Sequence, residues 1–272
     1  MRTLIIILAL TVISALSGVA IIYFGLYNVS ATQAHHAAAY WVLEKALRAS
    51  VRRRSADIIV PALNEPAMLQ RGLQLFKTHC VQCHGAPGVA PDAFALGLNP
   101  PAANLAHTAR TWPTAELFWV IKHGVRTTGM PAWEFRLTEE ELWAVTSFVQ
   151  TLPRISPREY ETMVAQAPAR PPDLPVTTPP ADPLRGKIAL SQYACVTCHV
   201  IPEVAGATVP VGPPLTGIAQ RKIIAGMLPN TPQNMIRWLR EPQKINPGTA
   251  MPDLGVTERD ATDMTAYIYT LK

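Results

Sequence analysis

The pattern Cys-x-x-Cys-His occurs twice in this 272-residue chain, and it constrains the fold more than any other feature. It lies in "KTHCVQCHGAPG", residues 77–88, as Cys80, Cys83 and His84, and in "YACVTCHV", residues 193–200, as Cys195, Cys198 and His199. These four are the only cysteines. A thiol–disulfide redox pair uses the same cysteine spacing. It has no use for the following histidine and expects a βαβ setting, whereas the flanks here read as helix. A zinc centre built from both pairs would need ligands 112 positions apart, from Cys83 to Cys195, far beyond the usual spacing of such ligands.

The remaining chemistry is covalent haem attachment, for which this spacing is the signature. One helical turn presents both thiols to the two vinyl edges of a porphyrin, and the next residue directs its imidazole at the iron. Two occurrences imply two covalently bound haem c groups. The composition agrees, because only 7% of residues are aromatic and a large flat cofactor supplies core material. The formal charge is +5, but no polybasic tract is interleaved with aromatics, so nucleic acid is not an expected partner.

Residues 4–27, "LIIILALTVISALSGVAIIYFGLY", contain no charge. As a helix they would extend roughly 36 Å, enough for a hydrocarbon core of about 30 Å. The run exceeds the usual apolar core of a signal peptide, and Tyr23 and Tyr27 fall where an interfacial aromatic belt would lie. An uncleaved anchor is therefore expected, with cleavage near Ser30 and Ala31 as the alternative. Lys45, Arg48 and Arg52–Arg54 follow the helix, which on charge alone favours a cytoplasmic bulk. Haem attachment outside the cytoplasm overrules that and puts both haem units in the periplasm of a bacterial inner membrane. Residues 35–54 read as a helix lying along the membrane surface or against a partner subunit.

More than the cysteine motif is duplicated. Arg71-Gly72 and Arg185-Gly186 precede the motifs, and Met130-Pro131 and Met251-Pro252 follow them. Each unit closes with one helical design, "LTEEELWAVTSFVQTL" from Leu137 and "VTERDATDMTAYIYTL" from Val256. Thr138 and Thr257 are the expected N-caps, with Glu141 and Asp260 three residues on. Phe148 and Tyr267 occupy matching positions. Residues 164–183 hold seven prolines and almost no large apolar residue, which suits an extended tether. The expected organisation is an anchor at 1–30, an amphipathic or linker segment at 31–66, a first haem domain at 67–163, the tether at 164–183 and a second haem domain at 184–272.

With His84 and His199 on one face of each iron, a methionine on the other would raise the potential and favour electron transfer over small-molecule binding. Met130 lies 46 residues after His84, and Met251 lies 52 after His199. Both stand in loops just before the closing helix. Met227, Met235 and Met264 compete in the second unit, with Met264 expected in the core. His123 and His107 compete in the first and read as surface or hydrogen-bonding residues. His79 is expected to point away, and His35 and His36 to be solvated. The "GPPL" at 212–215 can bring a carbonyl to the free N–H of the proximal imidazole, and "NPP" at 99–101 can serve similarly in the first unit.

In this order of motifs the chain resembles class I cytochrome c twice over, across residues 67–153 and 184–272. The resemblance implies an all-α fold with first and last helices of each domain crossing at the glycine; with the apolar N-terminal run, the expected architecture is an N-terminal transmembrane helix followed by two tandem domains. The stretch from Ala225 to Leu271 is similar to the cytochrome domain fused to subunit II of caa3-type oxidases, though a copper-binding half and a second membrane helix are missing. The first unit resembles single-haem domains of membrane-bound respiratory cytochromes. The implied role is a membrane-anchored dihaem electron carrier in a respiratory chain, not itself an enzyme, serving redox partner proteins at or within a terminal oxidase complex. The alternative is the cytochrome subunit of a periplasmic dehydrogenase. A dihaem peroxidase would need an iron with a releasable face and acid–base help nearby.

Overall fold

The computed structural model describes residues 2–167, 180–206 and 211–272. The chain divides into two compact units, residues 1–170 and 171–272. Most of the tether expected at 164–183 lies outside the described residues, while its first residues, through Gln166, are helical.

The first unit begins with α1 (Arg2–Tyr23), a helix with no buried residue. Its Thr11 hydroxyl donates to the carbonyl of Ile7 at 2.9 Å, which satisfies a polar group along an apolar surface. The helix expected around 35–54 is α2 (Ala37–Ser55). Its far end joins the domain, with Val51 fully buried and the Arg48 guanidinium 3.8 Å from the centre of the Trp112 ring. The domain itself contains α3 (Pro66–His79), α4 (Val81–His84), α5 (Leu105–Thr111), α6 (Thr114–His123) and α7 (Glu139–Thr151).

The crossing of α3 and α7 organises this core. A Cβ on Gly72 would lie 2.0 Å from the Ala144 carbonyl oxygen, so only glycine permits the backbones to approach so closely. Beside the crossing, Phe76 and Phe148, both fully buried, pack with tilted rings whose centres are 5.2 Å apart. Arg71 pairs with Glu141 at the same place. That glutamate also completes the capping box expected at the start of α7, where Thr138 and Glu141 satisfy each other's backbone N–H groups. Phe118 stacks on Trp143 at 3.7 Å and ties α6 to α7.

A further helix, α8 (Pro157–Gln166), closes the unit. Its start is written in the sequence, since Ser156 and Glu159 form a second capping box with Pro157 at the first helical position. Tyr160, 4% exposed, joins the core beside α3 and α7.

The second unit repeats the plan with α9 (Pro183–Gln192), α10 (Pro232–Arg240), α11 (Pro242–Ile245) and α12 (Glu258–Ile268). The α9–α12 crossing is tighter still, because a Cβ on Gly186 would stand 1.9 Å from the Asp263 carbonyl oxygen. The arginine next to the glycine has changed partner. Asp263 replaces Ala144 in the repeat, and Arg185 Nε donates to its carboxylate at 3.1 Å. Asp260, which matches Glu141, instead accepts from the Tyr193 hydroxyl at 2.8 Å and the Thr257 hydroxyl at 2.7 Å. Thr257 caps α12 as expected, accepting from the Asp260 N–H. Among the described residues the expected all-helical architecture holds except for one small hairpin, β1 (Ile223–Ile224) and β2 (Leu228–Pro229), paired antiparallel with Ile224 opposite Leu228. Its turn uses Ala225 and Gly226, both at positive φ, as a tight hairpin requires.

Candidate haem sites

In the first unit α3 runs directly into the cysteine motif. The N–H groups of Cys83 and His84 both reach back to the carbonyl of Cys80, at 3.1 and 2.9 Å, so one turn carries two thiols and the imidazole. The second unit reaches the same geometry by another route. Its helix stops at Gln192, and Ala194 enters the left-handed region at φ 55°. That conformation costs a non-glycine residue about 1 kcal/mol. It absorbs the one residue by which the second arginine-to-cysteine spacing exceeds the first. Cys198 and His199 then donate to the Cys195 carbonyl at 3.2 and 2.9 Å, as in the first unit.

Each imidazole is held from behind. His84 Nδ1 lies 2.7 Å from the carbonyl oxygen of Ala103, and His199 Nδ1 lies 2.8 Å from that of Pro213. A carbonyl only accepts, so Nδ1 carries the proton and Nε2 keeps its lone pair for a metal. The second contact falls within the "GPPL" turn, as its rigidity suggests. The first comes from Ala103, two residues beyond the "NPP" turn. Burial lowers the His84 pKa, with the Ala103 contact opposing it, which favours the neutral ligating form.

The thiols bear on the rival chemistries. Burial pushes Cys80 up to about 12 and Cys195 up to about 11. A dithiol exchange centre needs the opposite, a thiol pKa lowered towards neutrality. Among the described residues no group of three or more His, Cys, Asp or Glu side chains gathers as a metal cluster. The donor set that remains, two thiols and one oriented imidazole on a single turn, fits haem c.

The two methionine loops share a device not read from the sequence. Met130 N–H donates to Thr128 Oγ1 at 3.1 Å, and Met251 N–H to Thr249 Oγ1 at 3.2 Å. A threonine two residues before each Met-Pro pair was visible in both copies. The loops differ in how the methionine carbonyl is held. Val125 N–H donates to that of Met130 at 3.2 Å, whereas the Gln243 side chain donates to that of Met251 at 2.8 Å. Met130 and Met251 both pack at the edge of their apolar cores.

The competing residues have other surroundings. Met235 and Met264 are buried in the second core at 2% and 0% exposure, and Met227 is exposed beside the hairpin. His123 faces Glu134 at 3.3 Å, and His79 packs on Trp133 at 4.8 Å. His107 uses its backbone N–H at the start of α5, where Asn104 caps the helix. His35 is exposed as expected, but its Nδ1 meets the Tyr27 hydroxyl at 3.3 Å.

Comparison with known proteins agrees with this geometry. Residues 67–149 match the family described as cytochrome c oxidase, cbb3-type, subunit III, and residues 184–272 match the cytochrome c family. The chain is 33% identical over 89 residues to cytochrome c oxidase subunit 2 of Alkalihalophilus pseudofirmus, covering 32% of this chain and 25% of that protein. It thus spans about a quarter of the length of that relative. It is 32% identical over 111 residues to cytochrome c2 of Rhodopila globiformis, covering 35% of this chain and 99% of that one. A chain of the Kuenenia stuttgartiensis reducing HAO-like protein complex aligns over 79% of this chain and 99% of its own, at 19% identity and a TM-score of 0.28, too low to bear on the fold. The chain belongs to the cytochrome c family, as an electron-transfer protein with two cytochrome c domains in tandem whose Cys80/Cys83 and Cys195/Cys198 pairs imply two haem c groups.

Proposed function

We propose that this protein is a membrane-anchored dihaem cytochrome that passes electrons along a respiratory chain, to or within a terminal oxidase complex. In this reading α1 is retained as a single-pass anchor and both haem domains face the periplasm. His84 with Met130 would hold one iron, and His199 with Met251 the other. The observation that carries the reading is the duplicated pairing of an imidazole fixed by a backbone carbonyl with a Thr-x-Met-Pro loop. Haem iron supplies the one-electron chemistry.

The protein's part is to hold the ligands still. The carbonyls of Ala103 and Pro213 retain the proton on each Nδ1, which leaves Nε2 as the basic atom and fixes the ring. The threonine turns preset the two methionine loops. Thioether ligation raises the potential relative to a second imidazole, which suits a carrier on the oxidising side of a chain. Similarity of part of the chain to an oxidase subunit 2, and of residues 67–149 to a cbb3-type subunit III, favours an oxidase over a dehydrogenase partner.

Mild solubilisation of the native membrane, followed by identification of the proteins that co-purify with this chain, tests the assignment. An oxidase core in the complex is the expected result. A substrate-oxidising flavin or quinone enzyme in its place would make the chain a dehydrogenase subunit.

A further inference from the structure

The segment between α1 and α2 does not run away from the membrane exit. Tyr27, four residues past the end of α1, meets His35 through its hydroxyl at 3.3 Å, so the intervening loop closes on itself. That contact returns the chain to the exit just before α2 begins at Ala37. The tip of the same loop is tied to the first cytochrome domain. Asn99 Nδ2 donates to the carbonyls of Gln33 at 2.6 Å and Ala31 at 3.3 Å. Asn99 stands four residues before Ala103, whose carbonyl holds His84.

The second turn of α2 then shows an unusual surface. Tyr40, Trp41, Val42 and Leu43 are 60, 61, 55 and 52% exposed. Four successive helical residues point in directions about 100° apart, so together they cover every side of the helix. A groove on a protein partner would match one apolar face and leave the rest polar. A turn that is apolar all round and lies beside a membrane exit fits the boundary between headgroups and acyl chains, where tyrosine and tryptophan concentrate. Tyr23, Phe24 and Tyr27, exposed at the end of α1, begin the same belt. Farther along α2 the exposed charged residues are basic, Lys45 and Arg52 to Arg54.

We infer that Tyr40–Leu43 insert into the headgroup region of the bilayer as an extension of the anchor's aromatic belt, holding the first cytochrome domain at the membrane with its Asn99–Ala103 loop on the side of the exit. The inference rests on the reading of α1 as a retained anchor. It assigns the haem of the first domain to exchange with a membrane-embedded partner.

The test uses the full-length haem-loaded protein in vesicles of phosphatidylcholine and phosphatidylglycerol. The native cysteines are joined to haem, so one added cysteine is the only reactive thiol. Nitroxide labels are placed through Val42→Cys and, as an aqueous control on the exposed face of α8, Glu161→Cys. Collision with oxygen relative to a water-soluble nickel complex is read by power saturation. The label at position 42 should favour oxygen several-fold more than the label at 161. Tyr27→Phe, which removes the contact to His35, should reduce that preference. Equal accessibility at 42 and 161, in protein that stays with carbonate-washed vesicles, overturns this inference and leaves the anchor standing. Release of the protein into the wash overturns the anchor reading and this inference with it.

Discussion

Gly212 lies so close beneath His199 that a Cβ there would stand 2.5 Å from Cε1 and 2.9 Å from Nδ1 of the imidazole. The ring is therefore wedged between the Gly212 backbone and the carbonyl of Pro213, which accepts from Nδ1. Gly212→Ala should push the ring off that carbonyl, at an overpacking cost of about 1–3 kcal/mol. The expected outcome is a shifted midpoint and spectrum for one haem and an unchanged second haem, read by potentiometric titration. Two unchanged midpoints would show that the ring has more freedom than this packing allows.

The helix crossings make a stronger demand. At Gly72 and Gly186 the obstructing atoms are backbone carbonyl oxygens, at 2.0 and 1.9 Å from a notional Cβ, and backbone in mid-helix cannot turn aside. Gly72→Ala and Gly186→Ala should each destabilise their own domain by at least the ~3 kcal/mol upper range of ordinary overpacking. Gly97, with nothing within 4 Å of the same notional atom and no positive φ, is the control and should tolerate alanine. Guanidinium melts followed at each haem would separate the domains, and a normal melt for Gly186→Ala would contradict the crossing.

These crossings were legible in the sequence, because the Arg-Gly pair and the aromatic of the last helix recur at fixed places around each cysteine motif. The "GPPL" turn was legible too, since two prolines leave the chain little choice of path. Ala103 was not, because which carbonyl meets His84 depends on the whole course of the loop. The shift of the arginine partner from Glu141 to Asp263 was also hidden. It follows from Asp263 replacing Ala144 at the repeat position, one turn further along the helix. Ala194 at positive φ carries no residue-type signal at all. By contrast, the capping box before α8 and the threonine two residues ahead of each Met-Pro pair were plain local patterns that went unread.

Met130→Ala and Met251→Ala separate the proposed axial ligands from their rivals. Each substitution should abolish the methionine–iron charge-transfer absorption of one haem and lower its potential, leaving about half the band. Met235→Leu, a volume-conserving change inside the second core, should keep the band whole and cost less than about 1.5 kcal/mol. A full-intensity band in either alanine variant would refute that residue as a ligand.

Gln243 gives the two methionine loops different resistance to opening. Its side-chain nitrogen donates to the carbonyls of Thr249 at 2.9 Å and Met251 at 2.8 Å, across the turn that presents the methionine. The first domain has no such side chain, and its methionine carbonyl takes a backbone N–H from Val125 instead. A net hydrogen bond contributes about 0.5–1.5 kcal/mol, so losing both frees the second loop by about 1–3 kcal/mol. Gln243→Leu should therefore raise the affinity of one haem for added imidazole by roughly 5- to 150-fold, because a looser methionine is more easily displaced. The other haem is the internal reference. Gln243→Glu preserves the shape but not the donor, and it should behave like the leucine variant. If glutamate instead retains native affinity, shape rather than hydrogen bonding holds the loop.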